Sequence, residues 1–505
     1  MPIRVKHITP KFSLVIMNSN VSATLGVKPT IYTGASVSPT SPLTQAVASL
    51  NVVRRMGNPG YFEIVLYPTK PWNELLNPMD YVEIWLSDPN TGTLIPTMRG
   101  FIDTVTREFN IASGTPGDYV IIRGSDWQKL TTYPLYYFEI IPQSTFIVTD
   151  IVQKWQQALK GILLNNSINP PSGNTVLTGA TSRTVVNARN KGFYSPTQLI
   201  SAIFDGFYKP IVSAIAGNYP TPLIQPQLNV DSANADPLEQ ELETFHPVVN
   251  IESDTAESGL RTTIWDLFVR YQNRPWRELY FDDFYQDATY GTIQTLVYRV
   301  TPWQDINGGF LQPLPSNLNT PFTITSDDIM SYNLTRTDSQ VANFFMTKTI
   351  NNEPLVQVQA STQAPVTSAT RLNPISIPST NTGPIVPSDW RIFGNRVQQW
   401  QSVYLDYTNV DQKAGVHQRT SEVADTMGKL NQIVARAQSF NEFLENGYFG
   451  LAGNPNIHIG RYLNWEGSYY YIEEVRHSFR QPGQDTDGHY LTTLGVTRGR
   501  GIIDQ

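Results

Sequence analysis

A mainly β protein with α+β insertions is what this sequence predicts: two antiparallel β-barrels in one chain, a mixed middle region and a long helix in the C-terminal half. Three observations predict it. The first is self-similarity, because Gly100 to Phe109 reads GFIDTVTREF and Tyr470 to Phe479 reads YYIEEVRHSF. Each copy precedes a further strand-like run, GDYVIIRG from Gly117 and GHYLTTLGVTRG from Gly488. The offset is 370 residues from Phe101 to Tyr471, Ile102 to Ile472, Asp103 to Glu473, Val105 to Val475 and Phe109 to Phe479, and 371 from Tyr119 to Tyr490. Two matched strands joined by loops of nearly equal length imply a duplicated structural unit, with Ile102 on Ile472 and Tyr119 on Tyr490. The second is a period-two pattern between Tyr61 and Gly124, with turn residues between the runs. The third is composition: 25 Tyr, 22 Phe and 10 Trp beside only 16% charged residues suit β-structure and wide, packed, partly polar interfaces.

Taken in order, YFEIVLY places Phe62, Ile64 and Leu66 on one strand face, and YVEIWLS places Val82, Ile84 and Leu86 on one face with Tyr81, Glu83 and Trp85 on the other. Asp88 to Gly92 and Ser113 to Gly117 are turns by composition, so the strands form an antiparallel meander that closes most easily as a small barrel. In the middle, Thr149 caps a helix carrying Ile151, Trp155 and Leu159, and Thr263 precedes Ile264, Trp265, Leu267, Phe268 and Tyr271 at helical spacing. Residues 361–388 are rich in Ser, Thr and Pro and read as an extended arm. Ser421 then caps a long helix with Val423, Met427, Leu430, Ile433 or Val434, Ala437, Phe440 and Leu444 on one stripe, stopping at Asn446-Gly447. A chain of 505 residues holds roughly two to four domains. The division read here is a first barrel over 1–130, an α+β middle over 131–320, strands of 321–350 joining the second barrel, an arm over 351–390, a helical segment over 391–449 and the second barrel over 450–505.

A formal net charge of −7, from 36 basic and 43 acidic residues, argues against a dedicated nucleic-acid binder, although not against a passage through which DNA slides. With no cysteine there is no disulfide framework, thiolate metal site or cysteine nucleophile. Arg4, Lys6 and Lys11 precede an apolar run, Phe12 to Met17, too short for a signal-peptide core. Asp205, Gly206, Lys209 and Pro210 interrupt Leu199 to Gly217, which therefore fails as a membrane span. The expectation is a protein without export signal or membrane anchor.

Five groups of residues are candidates for chemistry. Asp282-Asp283, Asp327-Asp328 and Glu473-Glu474 are the acidic pairs that glycoside hydrolysis would require, but neighbours on a strand point to opposite faces. His458, His477 and His489 could bind zinc only if their strands converged, since no compact ligand spacing is present. Asp231, Asn234, Asp236 and Glu239 lack the ligand spacing and central glycine of a calcium loop. Gly428-Lys429 lacks the rest of a phosphate-binding loop, and no GxSxG elbow occurs. Arg498-Gly-Arg500-Gly501 could touch phosphates, though a strand-end or subunit-contact role suits two arginines better. The expectation is a non-enzymatic protein with no catalytic, cofactor-binding or metal residues, and the information in the chain is architectural.

Five segments, in order, carry a resemblance: GFIDTVTREF with GDYVIIRGSDWQKL; NRPWRELYFDDF with LVYRVTPW (Asn273 to Phe284, Leu296 to Trp303); SYNLTRTDSQVANFF (Ser331 to Phe345); RIFGNR (Arg391 to Arg396); and IHIGRYLNWEGSYYYIEEVRHSF with LTTLGVTRG. With these the chain resembles the baseplate hub proteins of contractile-tailed bacteriophages, a family that includes the hub portion of type VI secretion spikes. The resemblance implies two tail-tube-like barrels per chain and a homotrimer whose six barrels adapt a hexameric tail tube to a trimeric central spike. It also implies a virion structural protein of the tail baseplate, assembled in the host cytoplasm, that meets a tail tube or tube-initiator protein, the spike, a tape measure protein and baseplate wedge proteins. DNA would pass transiently through an axial channel whose lumen is neutral or acidic, because unpaired Lys or Arg would hold phosphates. The alternatives are the hub of a type VI-like or other contractile injection apparatus and, from the aromatic wealth, a virion carbohydrate-binding or carbohydrate-degrading protein.

Overall fold

The computed structural model of the chain describes residues 10–20, 30–36, 38, 40–110, 117–132, 134–136, 200–201, 203–230, 261–287, 291–304, 311, 321–350, 367–371, 390–394, 396–405, 431–438, 441–482 and 488–500. The protein is mainly β, as the alternation predicts, and is dominated by one 13-stranded sheet. Seven of its strands come first in the chain: β1 (Phe12–Met17), β2 (Ile31–Ala35), β3 (Val47–Arg55), β4 (Asn58–Leu66), β5 (Tyr81–Ser87), β6 (Leu94–Asn110) and β7 (Gly117–Asp126). They lie in the order β3-β4-β7-β6-β5-β1-β2, with every neighbour antiparallel. Strands far apart in that order bury their side chains together, Leu14 and Ile16 of β1 with Leu50 and Val52 of β3, so the sheet is curled around one core. Phe62, Ile64, Leu66, Val82, Ile84 and Leu86 all point into it, on the phase that the sequence alternation assigns. The helix Pro42–Ala46 bridges the gap between β2 and β3, adding Leu43 and Ala46 to the core, while the Ala35 N–H donates to Thr44 Oγ1 at 2.8 Å.

The opposite face of β1, β5 and β6 is covered by the middle region. There β8 (Pro134–Tyr136) pairs with β10 (Arg261–Thr263), while β9 (Gln227–Val230), β11 (Arg277–Asp287) and β12 (Gly291–Val300) form a sheet in the order β11-β12-β9. A helix over 200–201 and 203–216, with a π turn at Phe204–Tyr208, and a helix Ile264–Tyr271 pack beside them. Thr263 caps the second helix as expected: its Oγ1 accepts from the Asp266 N–H, and the Asp266 carboxylate accepts from the Thr263 N–H. Tyr81 and Phe101 join Ile203, Tyr208, Phe268 and Leu296 in this second core. The helix Thr149 was expected to cap lies outside the described residues.

The remaining strands are β13 (Phe322–Ile324), β14 (Ile329–Thr335), β15 (Phe344–Ile350), β16 (Thr367–Arg371), β17 (Val397–Leu405), β18 (Leu444–Ala452), β19 (Tyr462–Trp465), β20 (Ser468–Arg480) and β21 (His489–Arg500). β14-β18-β21-β20 continues the large sheet by pairing β20 with β3. Phe449, Leu451, Ile472, Val475 and Leu494 form a third core on it.

The repeat extends further than the sequence showed. β6 pairs with β7 as β20 pairs with β21, β4 adds to β7 as β18 adds to β21, and β3 adds to β4 as β14 adds to β18. β5 adds to β6 as β19 adds to β20, setting Tyr81 opposite Phe101 and Tyr462 opposite Tyr471. The irregularities are duplicated as well. The ladder slips around Asp103 in β6 and around Glu473 in β20, and between Val47 and Ser49 in β3 as between Ile329 and Ser331 in β14. Each bulged acid accepts from a hydroxyl across the strand, Asp103 from Ser125 at 2.6 Å and Glu473 from Thr497 at 2.9 Å.

Several expectations need correction. Ile102 does match Ile472, since Gly124 and Val496 oppose them, but Tyr119 matches Leu491 and not Tyr490: Glu108 opposes Tyr119 as Ser478 opposes Leu491. The loop differs by one residue more than the sequence offset implies, and a one-residue slip reverses facing. Among the described residues the two units run together as one curled sheet, joined through β20 and β3. Of the 321–350 stretch, β13 and β14 join the second unit, whereas β15 forms a separate sheet in the order β16-β15-β17. The 351–390 arm and the 391–449 helical segment thus each contain a strand, β16 and β17. Helix occupies residues 431–437, but Leu444, assigned to the helical stripe, begins β18, so the helix ends before Asn446-Gly447. Among the described residues no helix is long and apolar enough to cross a membrane.

Candidate functional site: the junction between the two units

The chain joins its two repeated units edge to edge through β20 and β3. Glu474 opposes Arg55, His477 opposes Val52, Phe479 opposes Leu50 and Arg480 opposes Ser49. Phe479 crosses into the first core, its ring 5.3 Å from that of Phe12. On the other face Glu474 pairs with Arg55 at 2.7 Å and Arg476 at 3.2 Å, and Glu63 pairs with Arg123 at 2.8 Å.

Behind the junction a buried polar network ties both units to the middle region. Arg54 lies 3.2 Å from Asp282, His458 Nδ1 is 3.3 Å from the same oxygen, and Arg54 also donates to the Thr97 carbonyl. Burial pushes the Asp282 carboxyl up, but His458 and Arg54 outweigh it and hold the group below the usual carboxylate range. Nearby, Arg299 pairs with Glu278 at 2.5 Å and donates to the Gly460 carbonyl, and Tyr471 donates to Glu278 at 2.6 Å. Gly460 adopts φ +75 and abuts the Tyr280 hydroxyl, so a side chain there would meet both strain and a clash. His477 is buried with its Nδ1 3.1 Å from Thr492 Oγ1 and 3.2 Å from the Tyr490 hydroxyl; burial, with Arg54 and His458 nearby, lowers its pKa to about 3.

The candidates from sequence fall into structural places. Asp282 belongs to the network, while the Asp283 side chain lies outside the described residues. Asp328 accepts from Thr325 N–H at 2.9 Å and Oγ1 at 2.8 Å, a local turn. Glu473 is the bulge acid and Glu474 the junction acid, on separate partners. His458 and His477 are buried and His489 is exposed; among the described residues no three His, Asp or Glu side chains could hold a metal ion together. Arg498 is stacked between Trp303 and Tyr471, 4.3 and 4.4 Å from the ring centres, which places it in the interior and away from any phosphate. A cavity beside it, lined by Trp303, Gln304, Ala437, Leu444, Tyr462 and Arg498, holds about 10 Å³, the size of one water. The Asp231 to Glu239 loop, Gly428-Lys429 and Gly501 lie outside the described residues. Sequence reasoning missed Arg54, Glu278 and Arg299. The signal for Arg54 was present, since it occupies the apolar phase of Leu50 and Val52 and only a buried partner makes that tolerable.

No protein-family profile matches the sequence, and no curated protein matches it. Comparison with solved structures finds likeness to the 43 kDa tail protein of prophage MuSo2 from Shewanella oneidensis, 11% identical, covering 96% of this chain and 98% of that one, TM-score 0.44. A tail protein from Neisseria meningitidis MC58 is 9% identical, with 97% of each chain covered, TM-score 0.41. The Francisella PdpA-VgrG complex is 10% identical to a chain of which 53% is covered, with 99% of this one, TM-score 0.38.

Proposed function

We propose that this chain is a structural hub of a phage tail baseplate, a homotrimer whose three pairs of repeated units form a pseudo-sixfold ring between a tail tube and a central spike, with an axial passage for DNA. The observation that carries the reading is the duplicated five-strand unit, whose two copies share ladder register and both bulges and stand edge to edge through β20 and β3. Two linked copies of one module per chain let three chains present six similar units, which reconciles a sixfold neighbour with a threefold one. The five ordered segments of resemblance support the same reading. The role is architectural: of the acidic pairs, Glu473 sits in a bulge, Glu474 at the junction, Asp328 in a turn and Asp282 in a buried network, and these four have structural partners. A hub of another contractile injection apparatus would have the same design. Electron-microscopic class averages of the purified protein test it, and a ring with a central hole and three copies is expected; a lone monomer at all concentrations, or turnover of a glycan, would sink the reading.

A further inference from the structure

The duplicated unit has two edges that differ in how they are filled. Within the chain, the second half of β20, residues 474–480, pairs with β3. The matching half of β6, residues 104–110, has β7 on one side and, among the described residues, no strand on the other. The strand that matches β3 is β14, and among the described residues it is an outer strand of the large sheet, paired with β18 alone. The one junction the chain makes therefore has an unfilled counterpart at each end of the molecule.

We infer that the 104–110 edge of β6 pairs antiparallel with the β14 edge of a second copy of this chain, reproducing the β20–β3 ladder between molecules. The register follows from the repeat, because β20 matches β6 at an offset of 370 residues and β14 matches β3 at 282, as their common partners fix. Ser478 opposite Asn51 becomes Glu108 opposite Asn333, and Phe479 opposite Leu50 becomes Phe109 opposite Tyr332. That last pair decides the matter. Phe479 and Leu50 are 1% and 0% exposed, whereas Phe109 and Tyr332 are 62% and 57% exposed in the single chain. Two large apolar side chains left in water at matching places on two open edges are covered by one contact. Tyr332 already lies 5.1 Å from Trp465 and 6.2 Å from Phe449, so Phe109 would extend the third core as Phe479 extends the first. The contact is head-to-tail: each copy offers a β6 edge to one neighbour and a β14 edge to the other, the kind of contact from which a closed ring of copies is built. The inference rests on the hub reading for the presence of further copies and adds which edges meet and in what register.

The absence of cysteine makes a clean test possible. In a Glu108→Cys, Asn333→Cys variant, mild oxidation or a short bis-maleimide should link most chains into covalent multimers on a denaturing gel, and each single variant should remain unlinked. Glu108→Cys with Thr337→Cys, four residues out of register and roughly 13 Å away, should not link. Because both apolar residues are exposed in the single chain, Phe109→Asp and Tyr332→Asp should leave folding intact and raise the concentration for half-assembly about tenfold or more. Assembled protein without cross-linking of the in-register pair would overturn this contact while leaving the hub reading in place. A chain monomeric at every concentration would overturn both.

Discussion

At the scale of single residues, His477 has a calculable consequence. Its pKa falls from 6.5 to about 3 on folding, because burial beside Arg54 and His458 disfavours the charged ring. Below pH 6.5 the unfolded chain takes up a proton that the native chain refuses, so this contribution to stability is complete above 6.5 and is lost progressively as pH falls towards 3. Between pH 6.5 and 5 the loss should be about 2 kcal/mol. Urea midpoints at about pH 7.5 and 5.0, either side of the unfolded-state value, measure it, and His477→Gln should shrink the difference by that amount. Asp282 gives a second expectation, since Asp282→Asn removes the carboxylate facing Arg54 and His458 and should cost about 3–5 kcal/mol. Arg54→Met in the same chain should recover part of that loss, because a buried cation no longer needs the acid. Asp282 was visible in the sequence as half of an acidic pair, but its partners are 228 and 176 residues away, and no local pattern can announce such a meeting.

At the scale of elements, the bulges explain why the repeat was legible in one place only. β6 and β20 keep an acid at the bulge because the widened ladder there places a strand hydroxyl within reach, Ser125 for Asp103 and Thr497 for Glu473. That shared constraint keeps the pattern Ile-acid-x-Val in both copies. Ser49-Leu50-Asn51-Val52 and Ser331-Tyr332-Asn333-Leu334 are also copies, but the first runs through a tight turn at Gly57 into β4, while the sheet of β15, β16 and β17 is inserted between β14 and β18. No single offset spans both, and a search at one spacing passes over them. The C-terminal helix was overextended for a different reason: Leu444 keeps a helical interval from Phe440, and four-residue spacing also occurs along a strand face of period two. Ser125→Ala and Thr497→Val should each cost about 1 kcal/mol, read as equal shifts in denaturation midpoint, since each removes one hydroxyl from an equivalent bulge. Unequal effects, with only one unit sensitive, would show that the two bulges are not equivalent.

At the scale of the whole molecule, the large sheet has one face covered by the first and third cores and, over β3, β4, β7 and their counterparts, a second face that carries small polar residues and paired charges. Ser49, Asn51, Thr104, Thr106, Asn333 and Thr493 lie on this face, with Arg55 and Arg476 on Glu474 and Arg123 on Glu63. If the proposed ring forms, this face is the one expected to line its bore. DNA would then meet a face on which Arg55, Arg476 and Arg123 are held against Glu474 and Glu63 and Arg480 is a further exposed cation, rather than a row of free cations that would release counterions and hold it. The wild-type ring should therefore leave a short duplex unbound at low salt. Glu63→Gln with Glu474→Gln removes the carboxylates facing Arg123, Arg55 and Arg476 while keeping the shape of the face, and all three acid–base pairs are partly exposed, so the fold should lose little from it. That variant should retain the duplex, with an affinity that falls steeply as salt rises, because three unpaired arginines recur in every chain of the ring. Fluorescence anisotropy of a labelled duplex over a salt series reads both outcomes; strong, salt-sensitive binding to the wild-type ring would mean that the bore is lined by some other face.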